Sequence, residues 1–289
     1  MGAKFGPAGN CDAFSAVHRS SLAAPKWIRD FGLDVYEYQC GKGVKIRAET
    51  AQKLGENAKA CGIRLSLHAP YFINLANPDP DSLQKTTGYI LSACQAASWM
   101  GADRVVIHTG ALMKRTRRQA LDTARSALRT VIAACDDAGY GGIALCPETM
   151  GKINQLGDLD EVLELCQLDP RLIPCIDFGH LYARSLGADE GLEATGRILD
   201  RLTAALGPER ASMFHSHFSK IEFTLKGGEK QHLTFAQTTY GPNPEPLLFL
   251  LAQRGWSPTI ICESAGTQAE DAKWMKDRYQ RDCAGHQSA

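Results

Sequence analysis

Eight short apolar runs punctuate the chain, and each is followed by a segment whose apolar residues recur at three- and four-residue steps. The runs lie at about Lys4–Gly6, Leu33–Tyr38, Arg64–His68, Arg104–His108, Ile143–Glu148, Leu172–Asp177, Met213–Phe218 and Thr259–Glu263. Bounded by Gly, Pro or polar clusters, they read as strands. The clearest helical face carries Leu121, Ala124, Leu128, Val131, Ile132 and Cys135; others carry Leu159, Val162, Leu163 and Cys166, then Leu199, Leu202 and Leu206. Asp81-Ser82 marks one helix start, and Gly32 and Gly62 follow two helix ends. Strand–helix units repeating every roughly 30–45 residues predict an α/β fold, a (β/α)8 TIM barrel, as a single domain over residues 1–289. An open doubly wound sheet would more often carry GxGxxG after an early strand, and Gly141-Gly142 and Gly227-Gly228 have the wrong spacing for it.

Composition narrows the function classes. Lys+Arg and Asp+Glu are equal at 32 each, which excludes a protein that grips nucleic acid by bulk positive charge. A run of 18 apolar residues is missing, so no transmembrane helix is expected. The segment MGAKFGPAGNCDAF does not read as a secretory signal. Ten cysteines stand singly without a CxxC pair, which suits a reducing compartment. The expectation is a cytoplasmic protein with no membrane contact and no protein partner.

In a barrel the C-terminal ends of the strands converge on one mouth. Here those ends read Glu37, His68, His108, Glu148, Asp177, His215 and Glu263, within SLHAPY, VVIHTG, LCPET, CIDFGH, FHSHFS and IICES. A single strand-end histidine is more often structural than functional. Three imidazoles and several carboxylates on one rim are another matter, because such groups buried without partners cost several kcal/mol each. They are the donors that Zn²⁺ and Mn²⁺ take. His180, three residues beyond Asp177, and His232 extend the set to His68, His108, Glu148, Asp177, His180, His215, His232 and Glu263. One ion uses about four to six donors. Eight therefore imply two or three ions, a zinc centre with manganese as the other candidate, and clustered ions suit in-line phosphoester hydrolysis. Between Ser219 and Gly241 more than twenty residues separate a strand from its helix, where about 2–6 is usual. IEFTL, KGG and EKQHLTF there predict a hairpin, a long functional loop on the strand-exit side.

These segments resemble the endonuclease IV (family 2 apurinic/apyrimidinic endonuclease) group within the xylose-isomerase-like TIM barrels. HAPYFINLA at 68–76, VVIHTG at 105–110, PET at 147–149 and CIDFGH at 175–180 match its metal-bearing segments in order; HSHFSK at 215–220 and IICES at 260–264 match more loosely. The resemblance implies a zinc-dependent phosphodiesterase that cleaves DNA 5′ to abasic sites, in base-excision repair, with abasic DNA as its partner. It implies one zinc held by His68, His108 and Glu148. A second would be held by the bridging Glu148 with Asp177, His215 and Glu263, and a third by His180 and His232. Glu148 and Glu263 are the implied catalytic residues, and Tyr71, Asn74 and Lys220 the implied substrate contacts.

The chain departs from that pattern in two places. Lys230-Gln231-His232 stands where the family has Asp-x-His, so Glu229, His217 or a water fills in for the missing donor, or the third ion is weakly held; period-two alternation puts His217 on the same strand face as His215. The loop after the second strand, QCGKGVKIR, is short and glycine-rich, with Gln39, Lys42 and Lys45 available. Lys114, Arg115, Arg117 and Arg118 open a helix, where they read as phosphate contacts or as a solvated basic helix start. Cys146, Cys175 and Cys262 read as packing residues facing away from their neighbours. The alternative function is a single-metal sugar isomerase or epimerase of the xylose-isomerase-like class, using only Glu148, Asp177, His215 and Glu263. A non-catalytic barrel that only binds is a third possibility.

Overall fold

The computed structural model describes residues 2–287. Its strands in chain order are β1 (Lys4–Pro7), β2 (Val35–Gln39), β3 (Arg64–His68), β4 (Arg104–His108), β5 (Ala144–Glu148), β6 (Cys175–Asp177), β7 (His215–Phe218), β8 (Lys220–Thr224), β9 (Gly228–Leu233) and β10 (Thr259–Cys262). Eight of them form one parallel sheet in the order β1-β10-β7-β6-β5-β4-β3-β2. A parallel bridge between Ala8 and Glu37 brings the two ends together, with Asp34 N donating to Phe5 O at 2.9 Å. Gly6 makes that closure possible: a Cβ there would lie 1.8 Å from the Val35 carbonyl oxygen.

The helices are α1 (Asp12–Val17), α2 (Ala24–Asp30), α3 (Ala48–Cys61), α4 (Pro80–Met100), α5 (Arg117–Asp137) and α6 (Leu159–Cys166). They continue with α7 (Phe178–Arg184), α8 (Gly191–Leu206), α9 (Pro208–Ala211), α10 (Glu245–Arg254) and α11 (Gln268–Gln287). Helix α5 shows why such segments fold: Thr116 and Gln119 form a capping box, and Leu121, Ala124, Leu128, Val131 and Cys135 turn one buried stripe to the sheet. Each fully buried Leu or Val there contributes about 1.5–3 kcal/mol. Among the boundaries that differ from the sequence reading, two have a clear cause. Pro174 has no N–H to donate, so β6 starts at Cys175, not Leu172. Helix α4 starts at Pro80 because Asp79 is the cap, its carboxylate accepting from Ser82 N at 2.9 Å. The segment 219–241 contains the expected hairpin, β8 against β9. It docks on the loop after β5 through Glu229 N to Gly151 O at 3.1 Å. Among the described residues no helix is long and apolar enough to cross a membrane.

Candidate metal centre

The strand ends deliver their side chains to one rim in three touching groups. His68 Nε2 and His108 Nε2 lie 3.3 and 3.2 Å from Glu148 Oε2. Glu148, Asp177, His217 and Glu263 form the middle group, with His217 Nδ1 at 2.7 Å from Glu148 Oε1 and 3.6 Å from Glu263 Oε1. The third group is His180, Glu229 and His232, with Glu229 Oε2 3.5 Å from His180 Nε2 and Glu229 Oε1 3.9 Å from His232 Nε2. Within the middle group and within the third group, one donor atom per residue falls within 4.8 Å of the others.

Each imidazole has its outer nitrogen tied down. His68 Nδ1 donates to Ala69 O at 2.7 Å, His108 Nδ1 to Tyr71 O at 3.0 Å and His180 Nδ1 to Thr149 O at 2.8 Å. A carbonyl can only accept, so these rings keep a proton on Nδ1 and present Nε2 inward, as a lone pair once its own proton is displaced. His217 Nε2 sits 2.9 Å from Glu37 Oε1, leaving Nδ1 for the centre, and His232 Nδ1 meets Ser219 Oγ at 2.9 Å. This outer-shell arrangement is the one that fixes metal-binding imidazoles. Asp177 Oδ1 accepts from His180 N at 2.8 Å, but its buried Oδ2 has no hydrogen-bond partner. That oxygen lies 3.3 Å from His180 Nδ1 and in one donor group with Glu148, His217 and Glu263, a setting that fits a divalent cation, and the N/O donor set fits Zn²⁺ or Mn²⁺.

The electrostatics point the same way. Burial opposes charge on Glu148, yet His217, His108 and His68 outweigh it and hold the carboxyl well below its usual range. Burial would likewise lower His68 and His180, but Glu148 for the first, and Asp177 and Glu229 for the second, push both up to about 9. Asp177 itself is raised, chiefly by burial.

Several residues are placed differently from the sequence reading. His215 does not join the centre. Strand register pairs Asp177 with His217 and Cys175 with His215, so His215 lies two residues deeper, roughly 7 Å down the barrel. Its Nε2 meets Glu37 Oε2 at 3.0 Å, and burial lowers its pKa to about 4, which keeps it neutral. His217 takes the rim position. Glu37, noted in the sequence only as a strand-end acid, lies beneath both rings and also accepts from Ser66 Oγ at 2.9 Å. Cys175 does not face away from these groups; it is clustered with His215 and His217, its thiol raised well above the usual value by burial.

The third group owes its geometry to a β-bulge. Glu222 pairs with Gln231 and Phe223 with Glu229, so Lys230 is an extra residue in β9 without a partner in the register. The bulge returns Glu229 to the face of His232 although they are three positions apart. Lys230 is turned out to an exposed ion pair with Glu222 at 2.6 Å. Lys220 is not free for a substrate either: its Nζ donates to the carbonyls of Phe235, at 3.0 Å, and Gln237. Asn74 braces two loops, its Oδ1 accepting from Ala76 N and Ala111 N at 3.1 Å each. Of the helix-start cations, Arg115 donates to Ala76 O, Arg117 pairs with Glu161 and Arg118 with Glu164 and Asp122. These arginines hold the rim together; Tyr71 is exposed at its edge.

Fold and rim together define a parallel barrel whose mouth carries donor clusters able to hold metal, and the chain belongs to the xylose isomerase-like TIM barrel family, whose sequence profile matches residues 25–278. It is 31% identical over 249 residues to an uncharacterized protein of Methanocaldococcus jannaschii, covering 86% of this chain and 88% of that one. It is 30% identical over 159 residues to a probable endonuclease 4 of Mycoplasma pneumoniae, covering 53% of this chain and 52% of that protein. Among solved structures it superposes on a D-tagatose 3-epimerase-like protein with a TM-score of 0.70 at 19% identity, covering 98% and 99% of the two chains; at that identity the likeness concerns the fold alone.

Proposed function

We propose that this chain is a metal-dependent phosphodiester hydrolase of the endonuclease IV type, incising DNA 5′ to abasic sites. The observation that carries the reading is the third donor group, His180, Glu229 and His232, standing beside a middle group that is already complete. A single-metal sugar epimerase would need only Glu148, Asp177, His217 and Glu263, leaving His68, His108 and the third group without a task.

Divalent ions held there would supply Lewis-acid stabilisation of a phosphate and of its leaving oxygen. The chain's own residues do the rest. Glu148, shared by the first two groups, fixes their spacing and orients an attacking water with its carboxylate. Glu263 is more open than Glu148 and Asp177, and its Oε atoms can accept the proton that water loses. Glu37 holds His217 so that its Nδ1 faces inward, and the carbonyls of Ala69, Tyr71 and Thr149 do the same for His68, His108 and His180.

Two measurements test this. Elemental analysis of purified protein is expected to give two or three zinc or manganese ions per chain. A duplex with one synthetic abasic site is expected to be cut on its 5′ side. An uncut duplex with fully metallated protein refutes the reading. One ion per chain together with turnover of a ketose would favour the epimerase, for which the self-sufficient middle group is the supporting observation.

A further inference from the structure

Beside the candidate centre, on the exit side of β3, three aromatic side chains stand open to solvent: Tyr71 at 58%, Phe72 at 43% and Tyr89 at 40% exposure. They form a row. Tyr71 meets Phe72 edge-to-face at 5.7 Å between centroids, and Phe72 meets Tyr89 edge-to-face at 4.8 Å. The row is fixed to the donor rim at one end, since the Tyr71 carbonyl accepts from His108 Nδ1 and its amide donates to Gly41 O at 3.2 Å. The other end lies on helix α4.

Cations flank the row. Lys42, Lys45 and Arg47 lie in the loop that Tyr71 touches, Lys85 is one turn before Tyr89 on α4, and Lys114 follows Met113, whose Sδ takes Asn74 Nδ2 at 3.4 Å. All five are exposed, and among the described residues their charged ends have no hydrogen-bond or ion-pair partner. The arginines after β4 are engaged internally, so these groups carry the available positive charge of this sector. The acids nearby are Glu49, Asp79 and Asp81, and Asp79 is committed to capping α4.

We propose that this row binds unpaired nucleotides of a nucleic-acid strand leading to the metal rim, and the proposal rests on the phosphodiesterase reading above. Exposed aromatic rings offer stacking surface to bases that are not already stacked in a duplex, while nearby cations meet phosphates without reading sequence. A single-stranded flank beside the abasic duplex thus adds to its affinity without being required for incision.

The test is anisotropy titration of a fluorescein-labelled oligothymidylate against the purified protein. Phe72→Ala and Tyr89→Ala are each expected to weaken binding roughly 5- to 150-fold. Lys85→Ala and Lys114→Ala should each reduce the salt slope by about 0.7. Both rings are half exposed, and circular dichroism melting verifies that the variants fold. Failure of the wild type to bind, or binding indifferent to loss of both rings, overturns the proposal, as does equal affinity for a duplex of the same length. If the oligonucleotide binds as expected but the abasic duplex stays uncut, the hydrolase reading fails and the strip stands. Intact incision with ring-indifferent binding has the opposite meaning.

Discussion

Deleting a residue from the middle of a strand beside a catalytic centre should ordinarily destroy it, because a one-residue slip turns every following side chain to the other face. Deletion of Lys230 is expected to do the reverse. Lys230 is the extra residue of the bulge between the Glu222–Gln231 and Phe223–Glu229 pairs. Without it Glu229 and His232 become two residues apart in a regular strand, and period-two alternation keeps them on one face. Glu229 then stays near His180 Nε2, now 3.5 Å away, and the deletion loses only an exposed ion pair, since Glu222 keeps its bond from Gln231 Nε2 at 2.7 Å. The expected result is an unchanged number of ions per chain and an unchanged melting temperature. Glu229→Ala leaves two of the three side-chain donors and should cost one ion per chain. Elemental analysis after gel filtration reads both. The reasoning is refuted if deleting Lys230 removes the same ion that Glu229→Ala removes.

Three further outcomes follow from the geometry. Glu37→Gln removes the charge that holds His217 and turns one of the two oxygens that accept from His217, His215 and Ser66 into an amide donor; it should weaken metal binding about 10- to 100-fold in chelator competition, whereas His215→Ala should leave the ion count unchanged and His217→Ala should lower it. His68 and His180 have pKa values raised from 6.5 to about 9 in the metal-free protein; their protonation therefore stabilises the fold fully below about pH 6.5, and that contribution is lost as pH rises through 9. Metal-free protein should melt progressively lower across that window, and a flat profile would contradict it. Gly151→Ala would place a Cβ 2.7 Å from Glu229 Cβ and 2.9 Å from His180 Cδ2, so it should lower metal content through the third group while the barrel's circular dichroism persists.

The barrel and most of its donors were legible because a parallel barrel has a simple grammar. Each strand ends at the mouth, so His68, His108, Glu148 and Asp177 could be placed by finding where apolar runs stop. What escaped the sequence depends on register between chains of residues far apart. Period two puts His215 and His217 on the same face and cannot say which lies level with Asp177; the pairing of β7 with β6 decides it. Lys230 sits at the spacing where a ligand was expected, and only the pairing of β9 with β8 reveals it as an insertion. The cations of the α5 start were ambiguous for the same reason, since Glu161 and Glu164, which neutralise Arg117 and Arg118, come from a different helix. Glu37 could have been found by asking what a buried acid on β2 would face across the barrel.

The charge balance at the rim ties these points together. Glu37, Glu148 and Asp177 are buried and Glu229 and Glu263 nearly so, all within one assembly of interlocking contacts. Lysine and arginine are missing from the three donor groups, so within them only protons on imidazoles oppose the carboxylates when no metal is bound. That explains why His68, His180 and His217 are driven upward, while His215, whose one carboxylate partner is Glu37, is driven down by burial with help from His217 and Arg104. Divalent cations binding here must displace those protons, so uptake at neutral pH should acidify a weakly buffered solution. Proton release measured by calorimetry in buffers of different ionisation enthalpy should exceed zero and shrink toward pH 9. Uptake without proton release would mean that the imidazoles are not the groups that meet the metal.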